Sequence, residues 1–102
     1  PGAIDRPAPE VLARWPELLG RLRSEESGVW LELCQTLEIT PVEEFARRLQ
    51  SWGREFAAES LRRYGESLFE QASQFDLDRL PRTLEAFPAV VAEIAARIEP
   101  RP

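Results

Sequence analysis

Between residues 42 and 56 the apolar or small side chains are Val42, Phe45, Ala46, Leu49, Trp52, Gly53 and Phe56, set three or four positions apart. That period stacks side chains on one face of an α-helix and conflicts with the two-residue alternation of a strand. Similar stripes recur. Val11, Leu12, Trp15, Leu18, Leu19 and Leu22 make one; Leu61, Tyr64, Gly65, Leu68, Phe69, Ala72 and Phe75 make another; Leu77, Leu80, Leu84, Phe87, Val91, Ile94 and Ile98 make a third. Trp30, Leu33, Cys34 and Leu37 form a shorter stripe. Val29, Leu31 and Leu33 also alternate, but no partner strand is visible, so helix is preferred. Amphipathic rods joined by short links bury their stripes against one another. The expected fold is therefore all-α, an antiparallel helical bundle of four to five helices.

The boundaries follow from proline, glycine and capping residues. Residues 1–8, with Pro1 and Pro7, read as an extended lead-in, residues 9–98 as one bundle domain, and residues 99–102 as a frayed end. Pro16 predicts a kink or a new helix, and Ser24 to Gly28 a break. Thr40-Pro41-Val42-Glu43-Glu44 reads as a helix start, with Thr40 as the capping hydroxyl and Glu43 closing a capping box. Ala57 to Ser60 predicts a short turn, Asp76 a cap for the last stripe, and Phe87-Pro88 a bend or restart.

Two helices share the pattern leucine, two residues, aromatic, glycine, two residues, apolar: Leu49 through Phe56 and Leu61 through Leu68. Glycine inside a helix costs about 0.5–1 kcal/mol relative to alanine. Close backbone contact between the two helices at Gly53 and Gly65 is the expected compensation.

Composition removes many functions. The 102 residues contain no histidine and one cysteine. The usual general base, phosphate carrier and metal ligand is therefore missing, and no disulfide can form within the chain. No metal and no cofactor are expected. A net charge of -5 disfavours nucleic acid, whose binding relies on a basic face. The longest apolar run, Ala89 to Ile98, is far short of a membrane span and carries Glu93 and Arg97, so no direct membrane insertion is expected. The first residue is proline and methionine is absent, so the chain reads as a piece of a longer polypeptide, with the cytoplasm as its expected location even if the parent is membrane-anchored.

Few residues are left as functional candidates. Cys34 lies in an apolar stripe and reads as core. Asp76-Leu77-Asp78 lacks the glycine and closing glutamate of a calcium loop, and Glu25-Glu26 and Glu43-Glu44 read as solvated pairs. The arginine pairs Arg47-Arg48 and Arg62-Arg63 are candidates for gripping an acidic partner or a phosphoryl group. Ion pairs within helices offer a plainer account, because Glu10–Arg14, Glu17–Arg21, Glu43–Arg47, Glu44–Arg48, Glu59–Arg63, Asp78–Arg82 and Glu93–Arg97 all have the favourable i,i+4 order. Trp52 sits centrally in its stripe and reads as core. Trp15 and Trp30, in interrupted segments, are the candidate interface tryptophans if they face solvent.

The segment from Thr40 to Ile94 resembles the helical accessory region at the C-terminal end of bacterial hybrid sensor histidine kinases and response regulators. The residues concerned are Val42-Glu43-Glu44-Phe45-Ala46, Leu49, Trp52-Gly53, Tyr64-Gly65-Glu66, Leu68, Gln74-Phe75-Asp76-Leu77-Asp78 and Leu84-Glu85-Ala86-Phe87-Pro88. The resemblance implies a phosphotransfer-like bundle without the phosphate-carrying histidine. It implies a non-catalytic module of a two-component system that docks on a receiver or kinase domain, or forms a homodimer. The alternative is a small-molecule sensing bundle with a pocket lined by Trp52, Phe56, Tyr64 and Phe69.

Overall fold

The structure, a computed structural model, describes residues 9–98. The extended lead-in and frayed end expected at 1–8 and 99–102 lie outside the described residues. Among the described residues all regular structure is helical: α1 (Pro9–Leu12), α2 (Trp15–Glu26), α3 (Val29–Thr36), α4 (Ile39–Glu55), α5 (Glu59–Ser73), α6 (Leu80–Glu85) and α7 (Phe87–Ile98). Residues 29–36 take the helical option: Leu33 is buried while Val29 and Leu31 are exposed, a pattern set by the helical period.

Proline divides the chain at Pro16 and Pro88, as expected, and also at Pro81. Pro16 opens α2, Pro81 opens α6, and Pro88 is the second residue of α7. At the α6–α7 junction, Pro88 has no N–H to offer the Leu84 carbonyl, its partner in an unbroken helix. Two side chains from elsewhere supply the missing donors. Trp30 Nε1 donates to the Leu84 oxygen at 2.8 Å, and the Tyr64 hydroxyl donates to the Thr83 and Leu84 oxygens at 2.7 and 3.1 Å. The polar tips of α3 and α5 thus fasten the break, and their rings surround Phe87. Phe45 meets that ring edge-on at 5.2 Å, Tyr64 stacks at 6.1 Å and Trp30 is tilted at 6.0 Å. Phe87 is fully buried, along with Leu18, Leu22, Phe45, Leu49, Leu61, Leu68, Leu80, Leu84 and Ile94.

Helices α4 and α5 form an antiparallel hairpin, the most extensive helix pair in the fold. Numbers rise on one helix as they fall on the other: the Ser73 hydroxyl donates to Glu43 at 2.8 Å, Gln50 Nε2 reaches the Gly65 carbonyl at 3.4 Å, and Gly53 abuts Arg62. A Cβ on Gly53 would sit 2.6 Å from the Arg62 nitrogen, and one on Gly65 would sit 2.9 Å from the Ala46 carbonyl oxygen. Each glycine therefore lets the facing backbone approach. The echo in the sequence is a reciprocal contact.

Helix α2 runs on to Glu26, into the break expected from Ser24, and α5 begins at Glu59, inside the turn expected to Ser60; two other helix starts differ for identifiable reasons. Helix α4 starts at Ile39 with Glu38 in the N-cap position, no side-chain cap bond is made there, and Thr40 lies inside the first turn. The cause is the preceding residue: Leu37 closes α3 in the left-handed conformation (φ 51°), which turns the chain early enough for the next helix to begin at Ile39. Pro41 still falls in the first turn, where its missing N–H costs nothing. Asp76 does accept the Arg79 N–H at 3.2 Å, but it caps the turn preceding α6, since α6 itself begins at Leu80.

Candidate functional site

The candidate interface residues do not assemble into one surface. Trp15 is 2% exposed and its Nε1 donates to the Phe56 carbonyl at 2.8 Å, so it is a core anchor and no outward-facing contact. Its place at the start of α2, beside Pro16, had suggested otherwise; a buried indole needs an acceptor, and the end of α4 provides one. Trp30 is half-buried and committed to Leu84 and Phe87. Trp52, expected in the core, is also only half-buried and lies beneath the Arg21 guanidinium, 5.7 Å from its carbon.

The arginine pairs are likewise spoken for, though mostly by partners other than the i,i+4 carboxylates. Arg47 lies over the Phe69 ring at 5.0 Å, and Arg48 reaches across to Glu25 on α2 at 2.6 Å. Arg62 lies between Glu59 at 2.6 Å and Glu66 at 3.3 Å, and Arg63 shares Glu59 at 3.1 Å. Glu17–Arg21 and Glu59–Arg63 form as expected, whereas Arg14 turns to Glu55 on α4. Tertiary partners won over helical neighbours at Arg14 and Arg48 because helix packing brings a carboxylate of another element within reach. The Glu59 carboxyl is held at about 2, down from its ordinary 4.5, chiefly by the hydrogen bond from Arg62, with the charges of Arg62 and Arg63 adding to it. A depressed carboxyl pKa stabilises the fold above the ordinary value, and that contribution is lost as pH falls from 4.5 toward 2. An NMR titration of the Glu59 side chain is expected to show its midpoint near 2, moving up when Arg62 is replaced by glutamine.

Reactive groups are quiet. Burial, and then the nearby Glu85, push the Cys34 thiol above its usual pKa, which disfavours the nucleophilic thiolate. Burial, and then Cys34, also raise the Tyr64 hydroxyl. Among the described residues no group of three or more histidine, cysteine, aspartate or glutamate side chains is placed to hold a metal ion, and no helix is long and apolar enough to cross a membrane. Phe56 is fully buried beneath Arg14 and Arg21, while Tyr64 stacks on Phe87 and Phe69 lies under Arg47.

The feature that sequence reasoning missed is at the ends of α3, α4 and α5. All three close with a left-handed residue, and none of these is glycine: Leu37 (φ 51°), Ala57 (φ 51°) and Phe75 (φ 55°). At the end of α5 the Phe75 N–H donates to the Ala72 carbonyl at 3.1 Å and the Asp76 N–H to the Gln71 carbonyl at 2.9 Å. The same paired bonds close α4, from Ala57 to Arg54 and from Ala58 to Gly53. This is the Schellman arrangement, in which the left-handed position is usually glycine because a Cβ is disfavoured there. Phe75 occupies it with its side chain 68% exposed, and Leu77, two residues on, is 59% exposed. Phe75 flanks an open groove with Leu37, Ile39 and Pro41, rimmed by Glu38 and Glu43. Two of the three left-handed residues thus meet at one groove, at the α3–α4 link and the end of α5.

Compared with known proteins, the chain matches no family model, no curated protein and no solved structure.

Proposed function

We propose that this chain is a non-catalytic protein-interaction or regulatory module of a bacterial two-component signalling protein, docking on a receiver or kinase domain or pairing with a second copy. In this reading the helical segments form an antiparallel bundle of four to five rods, with α1 and α2 as one bent rod and α6 and α7 as another. The observation that carries it is Phe75. A phenylalanine in the left-handed region costs on the order of 1 kcal/mol of backbone energy, and leaving its ring in water forgoes about 1.5–3 kcal/mol of possible burial. The paired hydrogen bonds that close α5 offset part of the backbone cost, but the ring, 68% exposed, gains little burial among the described residues. Local rules broken without structural gain concentrate at functional sites, and an exposed aromatic beside an exposed leucine fits an anchor for a partner. The bacterial signalling context rests on the resemblance between Thr40 and Ile94, and the lack of histidine makes the module a docking or regulatory element with no phosphate of its own to carry.

The test is titration of the chain against a receiver domain, with and without a mimic of aspartyl phosphate, together with sedimentation of the chain alone. Saturable association or dimerisation that weakens in Phe75→Gly is expected. Absence of both under all conditions refutes the reading.

A further inference from the structure

Resting on that interaction reading, we infer that the groove between the α3–α4 link and Phe75 receives a cationic, apolar-anchored segment of a partner protein. The groove walls are aliphatic and aromatic: Leu37, Ile39, Pro41 and Phe75. Among the described residues its charged lining side chains are Glu38 and Glu43, with no arginine. A segment presenting one or two large apolar side chains flanked by lysine or arginine matches both features, since apolar anchors fill grooves and opposite charges at the rim speed encounter and fix orientation. The wider field has the same sign, because the whole chain carries a net charge of -5 and draws cationic partners. Charge favours this occupant over the same groove of a second copy, because two such grooves meeting face to face would bring like-charged rims together. The two carboxylates are not equally available. Glu43 already accepts from the Ser73 hydroxyl at 2.8 Å and is half-buried, while Glu38 is exposed, so Glu38 carries the larger share of the attraction.

The backbone around the groove is fixed, which suits it to a docking role. Leu37 N–H donates to the Leu33 carbonyl at 2.8 Å, and the paired bonds at Phe75 and Asp76 lock the end of α5. The groove is therefore preformed on two helix ends, and a partner would spend little of its binding energy on ordering it.

The probe is a synthetic amphipathic peptide with leucines on one face and lysines on the other, accompanied by a glutamate-for-lysine version and a serine-for-leucine version. Each is titrated into the full chain while backbone amide shifts are followed by NMR at low and at physiological salt. The expected result is that only the leucine–lysine peptide binds saturably, shifting amides at Leu37 to Glu43 and at Phe75 to Leu77. Phe75→Gly is expected to weaken that binding by about tenfold. Glu38→Gln weakens it at low salt more than Glu43→Gln does. Equal binding of the serine-for-leucine peptide, shifts spread over other acidic surface, or no binding by any peptide would overturn the inference. Phe75-dependent self-association or receiver binding, found alongside such a failure, would leave the interaction reading standing and remove only the cationic segment. Loss of both would remove both.

Discussion

Gly53→Ala is expected to destabilise the protein by about 3 kcal/mol, although alanine is the better helix former by about 1 kcal/mol. The added methyl would lie 2.6 Å from the Arg62 nitrogen and 2.7 Å from the Arg62 Cα, backbone atoms that cannot rotate away. Helices α4 and α5 would have to separate, loosening the most extensive helix pair in the fold. Gly65→Ala is expected to cost somewhat less, about 1–3 kcal/mol, because one of its neighbours is the flexible end of Gln50, although the Ala46 carbonyl at 2.9 Å is not. Gly20→Ala supplies the control. Nothing lies within 4 Å of the new methyl on the exposed face of α2, so the intrinsic preference should emerge as a gain of about 0.5–1 kcal/mol. For a domain this size 3 kcal/mol lowers Tm by roughly 12 °C or more, well within reach of thermal unfolding followed by circular dichroism. Three substitutions of identical chemistry should thus give two signs.

Phe87→Ala is expected to cost about 3–5 kcal/mol, the range for truncating a fully buried aromatic. This ring joins α3, α4 and α5 to the α6–α7 junction through Trp30, Phe45 and Tyr64. Its loss would leave a cavity beside the Leu84 carbonyl, where Trp30 and Tyr64 donate. Total stability for a domain of this length is on the order of 5–15 kcal/mol, so the variant is expected to sit near the edge of folding. Chemical denaturation should show a lowered midpoint with near-ultraviolet tryptophan signals weakened as Trp30 loses its neighbour. A midpoint shift of less than about 1 kcal/mol would mean the ring is not central to the core.

The paired glycines are one of the features legible in the sequence. The stripes at three- and four-residue spacing, the breaks at Pro16 and Phe87-Pro88, and the paired glycines all point to their observed places, because backbone chemistry and apolar period act locally. The start of α4 was misread at Thr40 because Leu37, an ordinary-looking stripe residue, adopts a left-handed conformation that no side-chain preference announces. The breaks after α4 and α5 are legible near Ala57 and Phe75, but the left-handed conformation of those two residues is not, because the residue that usually adopts it at a helix end is glycine. Trp15 was misplaced because whether an indole beside a proline turns inward depends on an acceptor 41 positions away, the Phe56 carbonyl. The i,i+4 spacing points Arg14 and Arg48 to helical neighbours, but Arg48 pairs with Glu25 and Arg14 with Glu55, partners distant in sequence that only the tertiary fold brings near. Of the candidate site, Phe75 is legible as the last member of the α5 stripe and as part of the resemblance, in neither case as an exposed anchor. Its own left-handed backbone conformation turns it from a core position into an exposed one.

Thermal unfolding of Phe75→Gly weighs most directly on whether that ring is held out for a partner at the expense of the fold. Removing the Cβ from a left-handed helix end relieves backbone strain of about 0.5–1 kcal/mol, and the lost ring was largely in water, so Tm is expected to rise by several degrees. A fall in Tm would mean that the isolated chain itself depends on Phe75, contradicting the view that its side chain is spare for docking.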